Sequence, residues 1–254
     1  MKRLSFACVA VVIAAVTLVP SPASAQTVDE IVQKYYAARG GYDKIKAIQT
    51  LKITQTVANP FSRTKVVILR KRPGLVRWEI TPAGQTAVMP RVINAEGGWD
   101  TQQGKVVARP EIMLKEDRDI DADIEGPLVD WKAKGHTLTL EGTEQLRTGA
   151  AYRLKLVTKA GVTREIFLDS KTHLPVLEKG RMSLPPDPRG NPRFNEHVFE
   201  YSDWRDVNGV KFPFAIDEER TGGPITQSFA VYTEKIELNV PMEDPLFAAL
   251  TAGK

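Results

Sequence analysis

The sequence predicts an α+β, mostly β protein: a curved antiparallel sheet forming an incomplete β-barrel, covered by an N-terminal helix and a central lid helix. Three observations predict it. Apolar residues alternate at period two from Thr50 to about residue 109 and again from Thr137, and turn residues separate these runs at hairpin spacing. Helical spacing is confined to the start of the exported chain and to residues 110–131. About a dozen strands are too many for a flat open sheet without strong curling, and the strand–helix alternation of a parallel fold is absent.

The first element is an export signal. Lys2 and Arg3 form a basic start, Leu4 to Val19 is an apolar run, and Ala23-Ser24-Ala25 is a small-residue cleavage site. Roughly 16 apolar residues fall short of the ~20 that a spanning helix needs, and Pro20 and Pro22 end the run. Residues 1–25 are therefore read as a signal peptide and residues 26–254 as one domain working outside the cytoplasm. Cys8, the only cysteine, lies inside the signal, so the exported chain cannot use disulfides and must rest on its core. The formal charge of +4 falls by two once Lys2 and Arg3 are removed, which is no nucleic-acid signature.

After the signal, Thr27-Val28-Asp29-Glu30 is a capping box, Val28, Ile31, Val32 and Tyr35 share a helical face, and Gly40-Gly41 supplies the stop. Tyr42, Ile45 and Ile48 mark a second short helical turn. The period then becomes two: Leu51, Ile53 and Val57 in one strand, Val76, Trp78 and Ile80 in another, with turns at Asn59-Pro60, Pro73-Gly74, Gly97-Gly98 and Gln103-Gly104. The expected strands are roughly 50–58, 63–72, 75–81, 86–95, 97–102 and 104–109. In the central stretch, Pro110 to Trp131, Ile112, Ile120, Ile124 and Leu128 lie four or eight residues apart with acids between them, which predicts one amphipathic helix over the mouth of the sheet. Strands resume at Thr137 to Leu140, around Tyr152 to Leu156 and at Thr163 to Asp169. Asn208-Gly209 is a two-residue hairpin turn between alternating apolar runs. Residues 183–193, SLPPDPRGNPR, read as a long exposed loop at a rim.

Enzyme signatures are missing: no G-x-S-x-G elbow, no phosphate-binding glycine loop, no H-E-x-x-H and no dinucleotide fingerprint. His136, His173 and His197 are isolated and read as surface or satisfied residues. The acidic run from Asp117 to Glu125 resembles a calcium loop only in part. Starting at Asp117 places Ala122 where the turn glycine belongs and Leu128 where the closing glutamate belongs; starting at Asp119 places Ile124 and Asp130 there. A solvated helix face is the simpler reading. No catalytic residue, metal ligand or cofactor is expected.

The aromatic and methionine set is more suggestive. Trp78, Trp99, Trp131, Met113, Met182, Phe199, Tyr201, Phe212 and Phe214 fall mostly on inward faces, each explicable as core packing. A curled sheet too wide for its own side chains must enclose something: its helices or a lipid-like ligand. The expected ligand-binding set is Ile112, Met113, Ile120, Ile124, Leu128 and Trp131 on the lid, with Trp78, Trp99, Phe199, Phe212 and Phe214 on the walls.

Nearly the whole exported chain resembles the periplasmic outer-membrane lipoprotein-sorting proteins of LolA-like fold. The resemblance is carried at the front by Val28-Asp-Glu-Ile-Val-Gln-Lys-Tyr, Ala38-Arg-Gly-Gly and Ile45-Lys-Ala-Ile, and in the middle by Ala122-Asp-Ile-Glu-Gly-Pro-Leu-Val-Asp-Trp and Lys134-Gly-His. It continues through Leu168-Asp-Ser-Lys-Thr-His-Leu-Pro-Val, Tyr201-Ser-Asp-Trp-Arg-Asp-Val-Asn-Gly-Val-Lys-Phe-Pro and Lys235-Ile-Glu-Leu-Asn-Val-Pro. It implies a periplasmic, non-enzymatic carrier whose apolar cavity shields the acyl chains of lipoproteins or other lipid-like amphiphiles on the way to the outer membrane. Its transient protein partners would sit at the inner and outer membranes. The alternative on the same fold is an envelope interaction or stress-sensing module with an interior filled by side chains.

Overall fold

The structure, a computed structural model, describes residues 26–251; the expected signal peptide lies outside them. The chain opens on helix α1 (Val28–Arg39), started by the expected capping box: Glu30 N donates to Thr27 Oγ1 at 3.3 Å and Thr27 N to Glu30 Oε2 at 2.8 Å. Gly40 ends it at φ 116°, and a Cβ there would lie 1.9 Å from the Gly209 carbonyl oxygen, so only glycine lets α1 seat against that hairpin. Helix α2 (Tyr42–Lys46) follows at once.

Thirteen antiparallel strands form one sheet. The front meander is β1 (Thr50–Asn59), β2 (Ser62–Lys71), β3 (Leu75–Thr81), β4 (Met89–Ile93), β5 (Gly98–Gln102) and β6 (Lys105–Ala108). The back meander is β7 (Thr137–Leu146), β8 (Gly149–Val157), β9 (Thr163–Asp169), β10 (Pro175–Leu184), β11 (Arg193–Val207), β12 (Val210–Gly222) and β13 (Ile225–Leu238). Pairing of β1 with β13 joins the two, which leaves β6 and β7 as unpaired edges of a curved, unclosed sheet. The segment linking those edges, residues 109–136, is therefore the one that crosses the open side. Asn208 and Gly209 take φ 53° and 82°, as the turn between β11 and β12 requires. Residues 86–88, expected in a strand, precede β4 as coil behind Pro82 and Gly84.

The central helix is much shorter than the sequence predicts. Helix α3 spans Glu111–Asp119 only, and residues 120–136 continue as turns and coil. Beyond that end, Gly126 at φ 89°, Pro127 without an amide proton and Asp130 at φ 51° keep a helix from resuming before Trp131. The buried face also differs: Leu114 and Asp117 turn inward while Ile112 is exposed. Among the described residues no helix is long and apolar enough to cross a membrane.

Two cores lie on the concave face. In one, α1 and α2 pack with Ile124, Leu128 and Val129 against β7–β9 and β12; in the other, Leu114 and Ala122 pack against Val66, Ile68, Trp78 and Ile93. On the opposite face, Met242 and Phe247 of the C-terminal segment cover Leu69 of β2.

Candidate functional site

Between these two cores the concave face is left unfilled. A cavity of about 660 Å³ lies between the sheet and residues 116–127, within the size range of small-molecule sites. Strand alternation explains its front wall: Leu51, Ile53 and Val57 of β1 and Val66 and Ile68 of β2 share the inward phase, with Trp78 and Ile80 of β3 beside them. The back wall is Met182, Phe199, Ile216, Phe229 and Val231.

The cover is fastened on both banks, by hydrogen bonds on one and by ion pairs on the other. Glu116 of α3 accepts from Ser183 N at 2.8 Å and Ser183 Oγ at 2.7 Å, tying the helix to β10. Toward the other bank, Arg109 Nε donates to Asp117 Oδ2 at 2.6 Å and its terminal nitrogen to Asp100 Oδ2 of β5 at 2.7 Å. Gly98 makes room for this crossing, since a Cβ there would lie 2.9 Å from Leu114 Cδ1. Burial and the neighbouring Asp121 push the Asp117 carboxyl up to about 6 against the pull of Arg109. Beyond the helix, the buried Glu125 receives Arg72, Lys46 at 3.1 Å and Lys134 at 3.1 Å. Burial opposes the charge of Glu125, but Arg72, Lys134 and Lys46 together bring its pKa down to about 2.

The cavity is not purely apolar. Arg70 continues the inward phase of Val66 and Ile68 and forms no hydrogen bond or ion pair among the described residues; its Nε is buried without a partner. Burial pushes its guanidinium down, while Asp121 and Asp123 support the charge from a distance. Across the floor, Arg164 Nε lies 3.4 Å from Glu178 Oε1, and Tyr201 Oη donates to Glu178 Oε2 at 3.1 Å. Burial, then Glu178, raises the Tyr201 phenol well above its usual range. Gly180 permits this placement, because a Cβ there would fall 2.4 Å from an Arg164 terminal nitrogen. Nearer the rim, Arg220 grips Glu218 at 2.6 and 2.8 Å, with His197 Nδ1 3.0 Å away. Burial opposes the Glu218 charge, but His197 and Arg220 lower its pKa. Among the described residues, no group of three or more His, Cys, Asp and Glu side chains is placed to hold a metal.

Of the residues expected to line a site, Trp78, Ile120, Ile124, Phe199 and Phe212 share the cavity. The other six lie elsewhere. Ile112 is exposed and Met113 sits half-buried at the start of α3, because the inward face of that helix is set by Leu114 and Asp117. Leu128 and Phe214 belong to the core beneath α1, and Trp131 packs at its edge under Lys132. Trp99 takes the phase of β5 opposite to the buried Gly98 and Asp100.

No family model and no curated protein matches the sequence. Solved structures do. A LolA superfamily protein from Nitrosomonas europaea superposes with a TM-score of 0.57 at 13% identity, over 88% of this chain and 98% of that one. A domain named for outer membrane lipoprotein sorting, from Vibrio parahaemolyticus, gives 0.54 at 11% identity, over 86% and 94%. The fold is LolA-like. The LolA-like sheet thus accounts for the architecture as a whole: two meanders joined at β1 and β13, edges left open, and a crossing segment that roofs the hollow between them.

Proposed function

We propose that this protein is a periplasmic carrier that holds the acyl chains of a lipoprotein or another lipid-like amphiphile beneath residues 116–127, for transfer toward the outer membrane. The observation that carries the reading is the cavity itself, about 660 Å³ with apolar walls and a roof tied to both banks. Each methylene buried in such a space contributes ~0.8 kcal/mol, so a long chain is held without a covalent bond. The unpaired Arg70 and the Arg164, Glu178 and Tyr201 cluster favour a ligand with a polar group over a plain hydrocarbon, since buried donors and acceptors gain from a partner.

Uptake of a fluorescent fatty acid by the delipidated protein tests this. Saturable binding, displaced by unlabelled long-chain fatty acid but not by a short-chain one, is the expected result. No uptake of fatty acid or of a triacylated lipopeptide would defeat the carrier reading and favour an envelope interaction module.

A further inference from the structure

The antiparallel order places six connections at one end of the sheet, and besides 103–104 and 158–162 these are residues 60–61 between β1 and β2, 82–88 between β3 and β4, 185–192 between β10 and β11, and 223–224 between β12 and β13. The registers place them there, since Asn59 pairs with Ser62, Lys65 with Thr81, Ala58 with Ala230, and Glu196 with Thr221. At or beside each of the last four a large apolar side chain stands in water: Phe61 at 95% exposure, Val88 at 47%, Phe194 at 46% and Ile225 at 63%. Single exposed hydrophobics need no explanation, but four of the eight large ones among the described residues share this one rim.

The turn chemistry does not require them. Asn59 Oδ1 accepts from Phe61 N at 2.9 Å and Ser62 N at 2.8 Å, so the β1–β2 turn is held by its asparagine while the Phe61 ring packs on nothing. Exposed charge without an ion pair within four positions of these connections is mostly positive, with Glu219 the exception. Arg63, Lys65, Arg189 and Arg193 are exposed and form no ion pair among the described residues. The acid within these connections, Asp187, has its carboxylate occupied by Arg189 N, Asn191 N and the Asn191 amide. The cavity reaches the same end: Val57 and Thr64, both on its wall, face each other two positions from the β1–β2 turn.

We infer that this rim docks on an anionic lipid bilayer, with Phe61 and Ile225 entering the headgroup region and the four cations meeting lipid phosphates. Apolar tips supply burial and flanking cations supply attraction to the surface, the pairing that reversible membrane contact requires. The inference goes beyond cargo binding: a docked rim sets the mouth of the cavity against the membrane.

Co-sedimentation of the mature protein with vesicles of phosphatidylglycerol or of phosphatidylcholine tests it. Binding to the anionic vesicles should be at least about tenfold tighter and should weaken with added salt. The Phe61→Ser, Ile225→Ser double variant should lose about tenfold or more of that binding. Its thermal midpoint and fatty-acid uptake should be unchanged, and Leu246→Ser, at an exposed site away from the rim, should bind like the wild type. No binding to either vesicle, equal binding to both, or a double variant that sediments like the wild type would each overturn the inference. Loss of fatty-acid uptake by the wild type would count against the carrier reading alone.

Discussion

Replacing Glu125 with alanine is expected to cost about 3 kcal/mol of folding stability at neutral pH. Its carboxylate is 2% exposed and receives Arg72, Lys46 and Lys134 from three separate parts of the chain. Truncation would leave three cations converging on an empty position and remove the ionic tie of residues 120–136 to Arg72 and to Lys46 of α2. The same group sets a pH dependence. Its folded pKa, about 2, lies below the ordinary 4.5, so the stabilisation is complete above the ordinary value and is lost as pH falls from 4.5 toward 2. Allowing for partners that are partly in water, the shift contributes about 2–3 kcal/mol. Asp117 acts with opposite sign: its folded pKa of about 6 exceeds the ordinary 3.8, so the folded state gains as pH falls between those values. Urea unfolding of wild type and Glu125→Gln across this range separates the two, because the Asp117 contribution cancels in the difference while that of Glu125 shrinks below pH 4.5 and is exhausted only near pH 2. A difference that stays constant with pH would show that Glu125 is not held ionised by its three cations.

Filling the cavity is expected to abolish most ligand binding while sparing the fold. Val57 of β1 and Ile216 of β12 both pair with Val231, which lies between them on β13, so Val57→Trp and Ile216→Trp each project an indole into the hollow from a strand flanking β13. Excluding about three methylenes of a bound chain forfeits ~2.4 kcal/mol, roughly a fiftyfold weaker complex. Fluorescent fatty-acid titration of each variant, beside its thermal unfolding, measures both quantities. Wild-type affinity in well-folded variants would place the ligand somewhere other than this cavity.

The sheet was legible because its interior repeats a simple rule. Alternation at Leu51, Ile53 and Val57, and turns such as Asn208-Gly209, encode strand and hairpin locally, whatever lies on the concave face. The lid was only half legible. Spacing of four through Ile112, Ile120, Ile124 and Leu128 matches a helix, yet α3 ends at Asp119 and Gly126-Pro127 keeps a helix from resuming to include Leu128, so backbone geometry outranks periodicity there. Helical phase also misled: Asp117 faces inward because Arg109 pairs with it there, and Leu114 follows, which turns Ile112 to solvent. The polar half of the site is hidden because the inward phase of the strands passes from apolar to charged residues without leaving the cavity wall. Carried on, the alternation of Val66 and Ile68 puts Arg70 inside, and that of Phe199 and Tyr201 leads back to His197. Pairings such as Glu116 with Ser183, 67 residues apart, leave no local trace in the sequence.

The central claim, that the hollow under residues 116–127 carries a lipid-like cargo, is tested most directly by native mass spectrometry of the protein purified gently from its own cell envelope, with organic extraction of whatever adds mass. The account expects a stoichiometric acylated ligand that Val57→Trp and Ile216→Trp do not retain. A ligand-free mass that does not change on adding fatty acid or lipopeptide would contradict it.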